Sequence, residues 1–239
     1  MNKASRWILI LACLVSPARA EDAPKKNWND EAALSFSNTT GNSRGSTLAV
    51  DNIFNYDWSR TSLELKAGML AEREKGRVTE EQYNAGQKVT RKVAQNLYGY
   101  ELFRWDRDRF SGIRNRQGFS VGVGDELWRT LKDTLIAEAG AGYVSEERPD
   151  KNDHFPSGRL YGKYRRTLSG AARFSQDVEC LESLEDARNY RINTETAVIA
   201  DVSGHVALKA SYKWKRIGKP APGLAKDDTT TGVTLIVSY

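Results

Sequence analysis

The chain has 239 residues, of which 36 are basic and 31 acidic, and its formal net charge is +5. Charges so nearly balanced do not favour nucleic acid as a partner. The mean hydropathy of −0.60 is typical of soluble proteins. Transmembrane β-barrels have a similarly low mean hydropathy, because every second residue of their strands faces a water-filled lumen.

The start of the chain has the three parts of a secretory signal peptide. Two basic residues precede an apolar run at 7–15, and Ala18-x-Ala20 follows it. The run is shorter than the roughly 20 residues that a membrane-spanning helix needs. We therefore expect residues 1–20 to be cleaved and residues 21–239 to form one exported domain. The alternative is a buried N-terminal strand or helix.

Cleavage would change both the charge and the cysteine content. It would remove Lys3, Arg6 and Arg19 and no acidic residue, so the net charge would fall from +5 to +2. Cys180 would be the one cysteine left in the exported domain. Such a domain cannot contain an internal disulfide and must be held by packing or by a closed hydrogen-bond network.

From residue 30 onward, polar and apolar side chains alternate with a period of two. Leu48 and Val50 share one face of their segment, and Thr47 and Asp51 share the other. Side chains of a strand point to opposite faces of a sheet in turn, whereas an amphipathic helix needs spacings of three and four. The alternation predicts twelve strands, at 30–39, 45–58, 60–73, 79–93, 95–106, 109–130, 133–145, 157–168, 170–182, 187–202, 205–217 and 228–239.

The connections between these strands alternate in length. "TGNSRG" and "RIGKPAPGLAKDD" are long and polar, whereas "SR", "LK" and "SG" are tight. This order places long loops at one end of an up-and-down sheet and tight turns at the other, as in outer-membrane barrels. We predict an all-β fold, a single up-and-down transmembrane β-barrel of about 12 antiparallel strands.

Aromatic residues lie near the ends of the predicted strands. Trp58, Trp128 and Tyr239 fall at the tight-turn end. At the long-loop end lie Trp105, Tyr143, Tyr212 and Trp214. Two such belts are expected where aromatic rings sit at the level of lipid headgroups. The alternative is a soluble barrel or sandwich, whose core aromatics would lie near strand centres.

The last segment, "TGVTLIVSY", alternates up to its terminal aromatic residue. An open sheet edge is not tolerated in hydrocarbon, so we expect this strand to pair with the first one. The segment resembles the carboxy-terminal signal by which outer-membrane barrels are handed to their assembly machinery. Its assembly-signal residues would be Gly232, Leu235, Val237 and Tyr239.

The segment "ALSFSNTTGNSRGSTLAVDN" resembles the opening of the bacterial salt-induced outer membrane protein (YdiY-like) family, a domain of unknown function. The family's turn falls on Thr40, Gly41, Asn42 and Ser43. A second stretch, "GVGDELWRT…LIAEAGAGYVSEE", is also similar to the family, in which a Gly-rich strand precedes one with Ala-Gly-x-Gly-Tyr. The resemblance covers nearly the whole mature chain. It implies an outer-membrane barrel and implies neither a reaction nor a ligand.

Many charged residues lie on the polar side of the predicted strands. The lumen-facing candidates are Asp51, Glu64, Lys66, Glu126, Glu138, Arg159, Lys163, Arg165, Arg173, Asp177, Glu179, Arg191, Glu195, Lys209 and Lys213. Acids dominate the first half of the chain and bases recur in the second, which predicts a negative arc facing a positive one. A water-filled, weakly selective pore would use such a field. The alternative is a lumen plugged by salt bridges.

Residues for catalysis are scarce. The two histidines, His154 and His205, are expected at opposite ends of the barrel, and the motifs GxSxG and HExxH are absent. The acidic loop with Glu146, Glu147, Asp150 and Asp153 lacks the spacing of the twelve-residue calcium loop. We predict that the protein is not an enzyme and has no catalytic residues, cofactor or metal site.

Three functions follow as hypotheses. The first is a narrow passive pore for small solutes, porin-like and with a mixed-charge lumen. The second is a non-conducting structural or stress-related barrel with a salt-bridged lumen, and the third is an outer-membrane hydrolase. The expected location is the outer membrane of a Gram-negative envelope, reached through the periplasm. The expected partners are membrane lipid, the assembly machinery and possible small ions or solutes, but no nucleic acid.

Overall fold

A computed structural model describes residues 26–39, 45–74, 77–108, 112–149, 151–220 and 223–239. The predicted signal peptide and the turn at 40–43 lie outside these residues. The described strands, numbered β1 to β12 in chain order, are Trp28–Thr39, Gly45–Asp57, Thr61–Glu74, Arg77–Lys92, Leu97–Asp108, Ile113–Arg129, Asp133–Glu147, Asn152–Ser169, Ala172–Ser183, Tyr190–Ser203, Val206–Ile217 and Asp227–Ser238.

The twelve strands form one closed barrel. Each strand pairs antiparallel with its neighbours in the sequence, and β12 returns to pair with β1. The predicted all-β, up-and-down barrel is therefore confirmed. In the part of the chain that the structure describes, no helix is long and apolar enough to cross a membrane.

The period of two in the sequence becomes an apolar outer wall and a polar lumen. Phe36 and Val233 face outward and are 69% and 65% exposed. Leu34 and Leu235 pair across the β1–β12 seam and are also exposed. An apolar residue is left exposed in this regular way because lipid, rather than protein, covers the outer wall of a transmembrane barrel.

Large aromatic residues stand on the outer wall near both ends of the strands. At the tight-turn end, Trp58, Trp128 and Tyr239 are each more than half exposed. Tyr143 and Tyr212, toward the long-loop end, are about half exposed. Two belts of rings separated by an apolar band are the arrangement expected at the two membrane interfaces.

Strand β8 begins at Asn152, five residues earlier than the sequence predicts, although Pro156 lies within the added segment. The carbonyl oxygen of Pro156 accepts a hydrogen bond from Leu184 N on the β9 side. In an antiparallel strand, the N–H and C=O of one residue point the same way. Pro156 therefore lacks its N–H on the side of β9, and the β8–β9 register begins only at Ser157↔Ser183. No ladder hydrogen bond is lost there, so the strand tolerates proline.

The seam between β1 and β12 is the shortest pairing in the barrel. The described residues form four register pairs there, from Glu31↔Ser238 to Leu34↔Leu235. The other eleven pairings contain between eleven and fifteen register pairs each. At the end of the seam, Tyr239 N donates to Asp30 O at 3.0 Å. Closure of the barrel therefore depends on a few residues at the end of β12.

Replacing Leu235 with arginine tests the role of the seam. The charge would lie in the lipid-facing wall, where arginine costs about 2–4 kcal/mol at the midplane. We expect the fraction of barrel that migrates faster unheated than boiled on a gel to fall strongly. The control is Thr230→Asp, because Thr230 pairs with Lys213 on the lumen side. Normal folding of Leu235→Arg would contradict the importance of the seam.

Candidate functional site

All of the charged residues that the sequence predicts to face the lumen lie within the strands of the barrel. Their positions follow from the alternation and the pairing register, in which, for example, Glu195 pairs with both Asp177 and Lys213. Their predicted part in conduction stays a prediction. The structure divides them between a central cluster, a loop-end cluster and a more open region near the tight turns.

The central cluster consists of Lys88, Arg104, Glu138, Arg159 and Glu179. Arg159 donates to Glu138 Oε2 at 2.7 Å through Nη1 and to Glu179 Oε1 at 2.6 Å through Nε. Arg104 Nη1 donates to Glu179 Oε2 at 2.5 Å, and Lys88 pairs with Glu138. The side chains of Glu138 and Arg159 are only 1% and 4% exposed. Each buried carboxylate thus has two cationic partners.

The central cluster spans the lumen. Arg104 lies on β5 and Glu179 on β9, so their ion pair joins strands four positions apart in the barrel. Lys88 on β4 likewise reaches Glu138 on β7. Contacts between neighbouring strands would leave the middle of the lumen free, whereas contacts between distant strands cross it. The central cluster therefore crosses the lumen between β4 and β9 at this level.

Tyrosine rings surround the central cluster. The hydroxyl of Tyr98 donates to Glu138 Oε1 at 2.6 Å. The Arg159 guanidinium carbon lies 4.9 Å from the centre of the Tyr161 ring and 5.3 Å from that of Tyr100. A cation within about 6 Å of a ring face is attracted by the ring quadrupole, most strongly where water is excluded. The rings thus stabilise the cation and keep water from it.

Glycines on β6 and β7 make the space for these rings. A side-chain carbon added at Gly124 would collide with the Tyr98 ring, and one at Gly140 would collide with the Tyr100 hydroxyl. One at Gly122 would lie 2.7 Å from the same hydroxyl oxygen. These residues belong to the two Gly-rich stretches that carry the family resemblance. Their lack of side chains allows the tyrosines to lie flat across the inner wall.

The loop-end cluster consists of Asp106, Arg116, Glu146, Arg148 and Arg191. The Glu146 carboxylate pairs with Arg148 and Arg191 and lies 3.9 Å from Arg116 Nη1. Arg116 Nη2 donates to Asp106 Oδ2 at 3.0 Å. Arg191 is on β10 and Glu146 on β7, so this cluster also spans the lumen. It forms a second charged layer above the central cluster.

A further cross-lumen pair lies beside the loop-end cluster. Lys215 Nζ on β11 lies 3.3 Å from Asp108 Oδ2 on β5, on the opposite side of the barrel. Five strands lie between these two in either direction around the closed sheet. The lumen is therefore bridged along its full diameter at the long-loop end.

The tight-turn half of the lumen is more accessible. Lys163 Nζ donates to Asp177 Oδ1 at 2.7 Å, and the Tyr161 hydroxyl donates to the same oxygen at 2.6 Å. Lys209 pairs with Glu195 on the neighbouring strand. The ion pairs here join adjacent strands, and their side chains keep about a quarter of their surface exposed. This half narrows the lumen without crossing it.

The predicted division into an acidic and a basic arc is wrong. Lys88, Arg104 and Arg116 lie on β4 to β6, in the half predicted to be acidic. Lys88 and Arg104 pair with acids across the lumen, whereas Arg116 pairs with Asp106 on the neighbouring β5. These three residues were absent from the predicted lumen-facing set, and Glu146 was placed in a loop. Gln87 and Glu101 interrupt the apolar faces of β4 and β5, so the sequence pattern there does not show which face is inner.

The histidines and the acidic loop provide no shared site. His154 lies at the loop end of β8, and His205 lies at the opposite end, where Nδ1 is 3.1 Å from Ser238 O. The described residues contain no group of three or more potential metal ligands of the His, Cys, Asp or Glu type. Asp150 of the acidic loop lies outside the described residues. The absence of catalysis stays a prediction.

The loops at this end also enclose a cavity of about 150 Å³, lined among others by His154, Asp186 and Lys219. A hydrogen bond from Lys219 lowers the pKa of the Asp186 carboxyl most, and hydrogen bonds from Arg188 lower it further. Both partners are charged and lie at the solvent-exposed loops. The cavity wall is thus held together by surface ion pairs, of the kind that contribute little to stability.

A closed antiparallel barrel with an apolar outer wall, aromatic belts and a charged lumen defines an outer-membrane β-barrel protein. Its outer wall contacts membrane lipid. The family model described as "Protein of unknown function, DUF481" matches residues 32–239. The chain therefore belongs to this family, and the resemblance found in the sequence is confirmed.

Comparison with known proteins finds a similar sequence and similar structures. The chain is 24% identical over 216 residues to "Uncharacterized protein YdiY" of Escherichia coli (strain K12), which covers 90% of this chain and 84% of that protein. The translocator domain of autotransporter NalP from Neisseria meningitidis has a TM-score of 0.49 at 10% identity, covering 91% and 90% of the two chains. The NanC porin has a TM-score of 0.49 at 11% identity, covering 88% of this chain and 97% of that one.

The glycine at 124 allows a test of the ring packing. We expect Gly124→Ala to displace Tyr98 from Glu138 and to cost about 1–3 kcal/mol of stability, as overpacking does. Gly118→Ala is a matched control on the same strand and face, because its added carbon would meet Val144 Cγ2 at an ordinary 3.9 Å. The stability of both variants is measured by heating each one and recording the fraction that still migrates as folded barrel on a gel. Equal stability of the two variants would contradict the packing role.

Proposed function

We propose that this protein is an outer-membrane barrel whose lumen is closed by salt bridges, a structural component of the envelope rather than an open channel. One observation carries the proposal. The Arg104–Glu179 pair joins β5 to β9 across the lumen, and Arg159 ties the same carboxylate to Glu138. Of the hypotheses from the sequence, this geometry supports the salt-bridged lumen best.

The burial of the central cluster supports a closed lumen. Charges that line a water-filled channel keep their hydration, whereas Glu138 and Arg159 are almost fully covered by protein. Buried ions need partners, since the penalty for removing a charge from water is several kcal/mol per ion. Here each carboxylate has partners on more than one strand. Opening the lumen at this level would therefore require several ion pairs to separate together.

The tight-turn half of the lumen favours a second candidate, the narrow passive pore. Lys163, Asp177, Glu195 and Lys209 are partly accessible and pair only along the wall. A vestibule of this kind could hold small ions or solutes up to the central cluster. In a pore, the lateral charges would bias which ions enter. Passage would still require movement of the Arg104–Glu179 pair.

Single-channel recording in planar bilayers separates the two candidates. We expect the purified wild-type barrel to give no stable conductance steps. Replacing both partners, in Arg104→Ala with Glu179→Ala, removes the bridge without leaving either of the two partners as an unpaired charge and should produce steps. The control is Arg173→Ala with Asp201→Ala, a pair at the turn end whose side chains are about 40% exposed. Wild-type steps that the double variant leaves unchanged would overturn the closed-lumen proposal and favour the pore.

The same geometry predicts that substitutions of two arginines lower the free energy of unfolding by very different amounts. Arg159→Met leaves Glu138 and Glu179 each without one buried partner and should lower the free energy of unfolding by about 3–5 kcal/mol. Arg173→Met breaks an exposed pair and should change it by about 0–1 kcal/mol. Urea unfolding followed by tryptophan fluorescence in detergent measures both values. Similar losses for the two variants would show that the central cluster contributes no special stability.

Assembly remains part of the proposal. The end of β12 is expected to present Gly232, Leu235, Val237 and Tyr239 to the assembly machinery, as the sequence predicts. Support comes from the position of Leu235, Val237 and Tyr239 at the short seam, which must form last if the chain pairs its strands in order. A cleaved signal peptide at 1–20 is likewise proposed, on the basic residues, the apolar run and Ala18-x-Ala20 of the sequence.

A further inference from the structure

The loop-end cluster contains a small cavity of about 20 Å³ inside the lumen. Arg116, Ser157 and Arg191 line it together with Asn189, Glu182 and the apolar side chains of Val144, Phe155 and Leu181. Ser157 is 1% exposed and Arg191 is 6% exposed. Two arginines and a serine from β6, β8 and β10 thus face one small space.

Each of these three polar residues has an unused hydrogen-bonding atom. Arg116 Nη1, Arg191 Nη1 and Ser157 Oγ are buried and have no hydrogen-bond partner among the described residues. Arg116 Nη1 is 3.9 Å from Glu146 Oε2, which is beyond hydrogen-bond range. A buried donor left without a partner destabilises the fold, and more so when it is charged. Three such atoms around one cavity indicate that something else satisfies them.

The charge of the cluster indicates the sign of the missing partner. Three arginines, at 116, 148 and 191, face two carboxylates, Asp106 and Glu146. Asp153, which pairs in register with Glu146, is neutralised by Lys151 at 2.6 Å. The remaining acid at the cavity is Glu182, an exposed residue on the opposite face of β9 from Leu181. The buried side of the cluster therefore holds one excess positive charge.

We propose that this cavity binds a single small inorganic anion of the halide type, held between Arg116, Arg191 and Ser157. A guanidinium has only donors, and a serine hydroxyl can rotate to donate as well. All three unused atoms can therefore point hydrogens at one acceptor. A water molecule would accept from the same groups, but it would leave the excess charge uncompensated.

The volume restricts the ligand to one small species. A water molecule needs roughly 10–15 Å³ by comparable measures, so about 20 Å³ admits one water-sized ion. A phosphate, sulfate or carboxylate ligand would require the lumen wall to move apart. The site goes beyond the proposed function, because it concerns the charge balance of the loop-end cluster and exists whether or not the lumen conducts.

Thermal unfolding in different sodium salts at equal ionic strength tests the site. We expect the unfolding midpoint to be higher in chloride or bromide than in gluconate, by an amount on the order of 2–4 °C. In Ser157→Ala, the apparent chloride affinity should fall about tenfold, as expected for loss of one charged hydrogen bond. Ser175→Ala is the control, since Ser175 is a lumen-facing serine in the tight-turn half.

A second variant keeps the test informative if Ser157→Ala folds poorly. Ser157→Asp brings a carboxylate of its own to Arg116 and Arg191, so its midpoint should not depend on chloride. Bromide soaked into crystals of the wild type should give an anomalous peak between the two arginines. Salt-independent midpoints in the wild type, or a chloride effect that both Ser157 variants retain, would overturn the proposal. Density at the site without an anomalous signal would identify water and would also overturn it.

Discussion

The structure depends on the way in which Arg159 holds two buried carboxylates inside a barrel. An isolated charge cannot be left in this interior, so Glu138 and Glu179 each need a second cation, which Lys88 and Arg104 provide. Those cations come from strands on the other side of the lumen. The need to pair charges therefore determines both that the lumen is crossed and which strands must face each other.

The tyrosine and glycine positions follow from the same requirement. Rings next to a buried guanidinium exclude water, and this strengthens the ion pairs around it. Tyr98 and Tyr100 pair in register with Gly124 and Gly122 on the neighbouring β6, so their rings lie where the wall has no side chains. The Gly-rich stretches of β6 and β7, which mark the family in the sequence, thus leave room for the rings. At Gly124 an added side chain would meet the Tyr98 ring, whereas at Gly122 and Gly140 it would meet both the Tyr100 hydroxyl and the backbone of the neighbouring strand.

The sequence predicts the parts of this molecule that depend on neighbouring residues. Alternation along one strand shows its two faces, so all twelve strands and the closed barrel were predictable. The pairing of Arg104 with Glu179 was not, because it depends on the stagger and curvature that bring β9 within reach of β5, four positions away. In the loop-end cluster Arg191 was predicted to face the lumen, but Glu146 was placed in a loop because β7 extends two residues further than its pattern suggests. Charges counted along the chain indicated two arcs, whereas contacts across the barrel mix them.

The short seam gives the barrel a built-in line of mechanical weakness. Separating β1 from β12 breaks four register pairs, whereas any other split breaks at least eleven. The salt-bridge clusters run from β4 to β11 and do not tie the two seam strands together. A barrel strained by membrane deformation would thus unzip between its chain ends, while its charged interior stayed assembled as a curved sheet. The ion pairs of the lumen thus hold β4 to β11 together, whereas the seam is the place where the barrel can open.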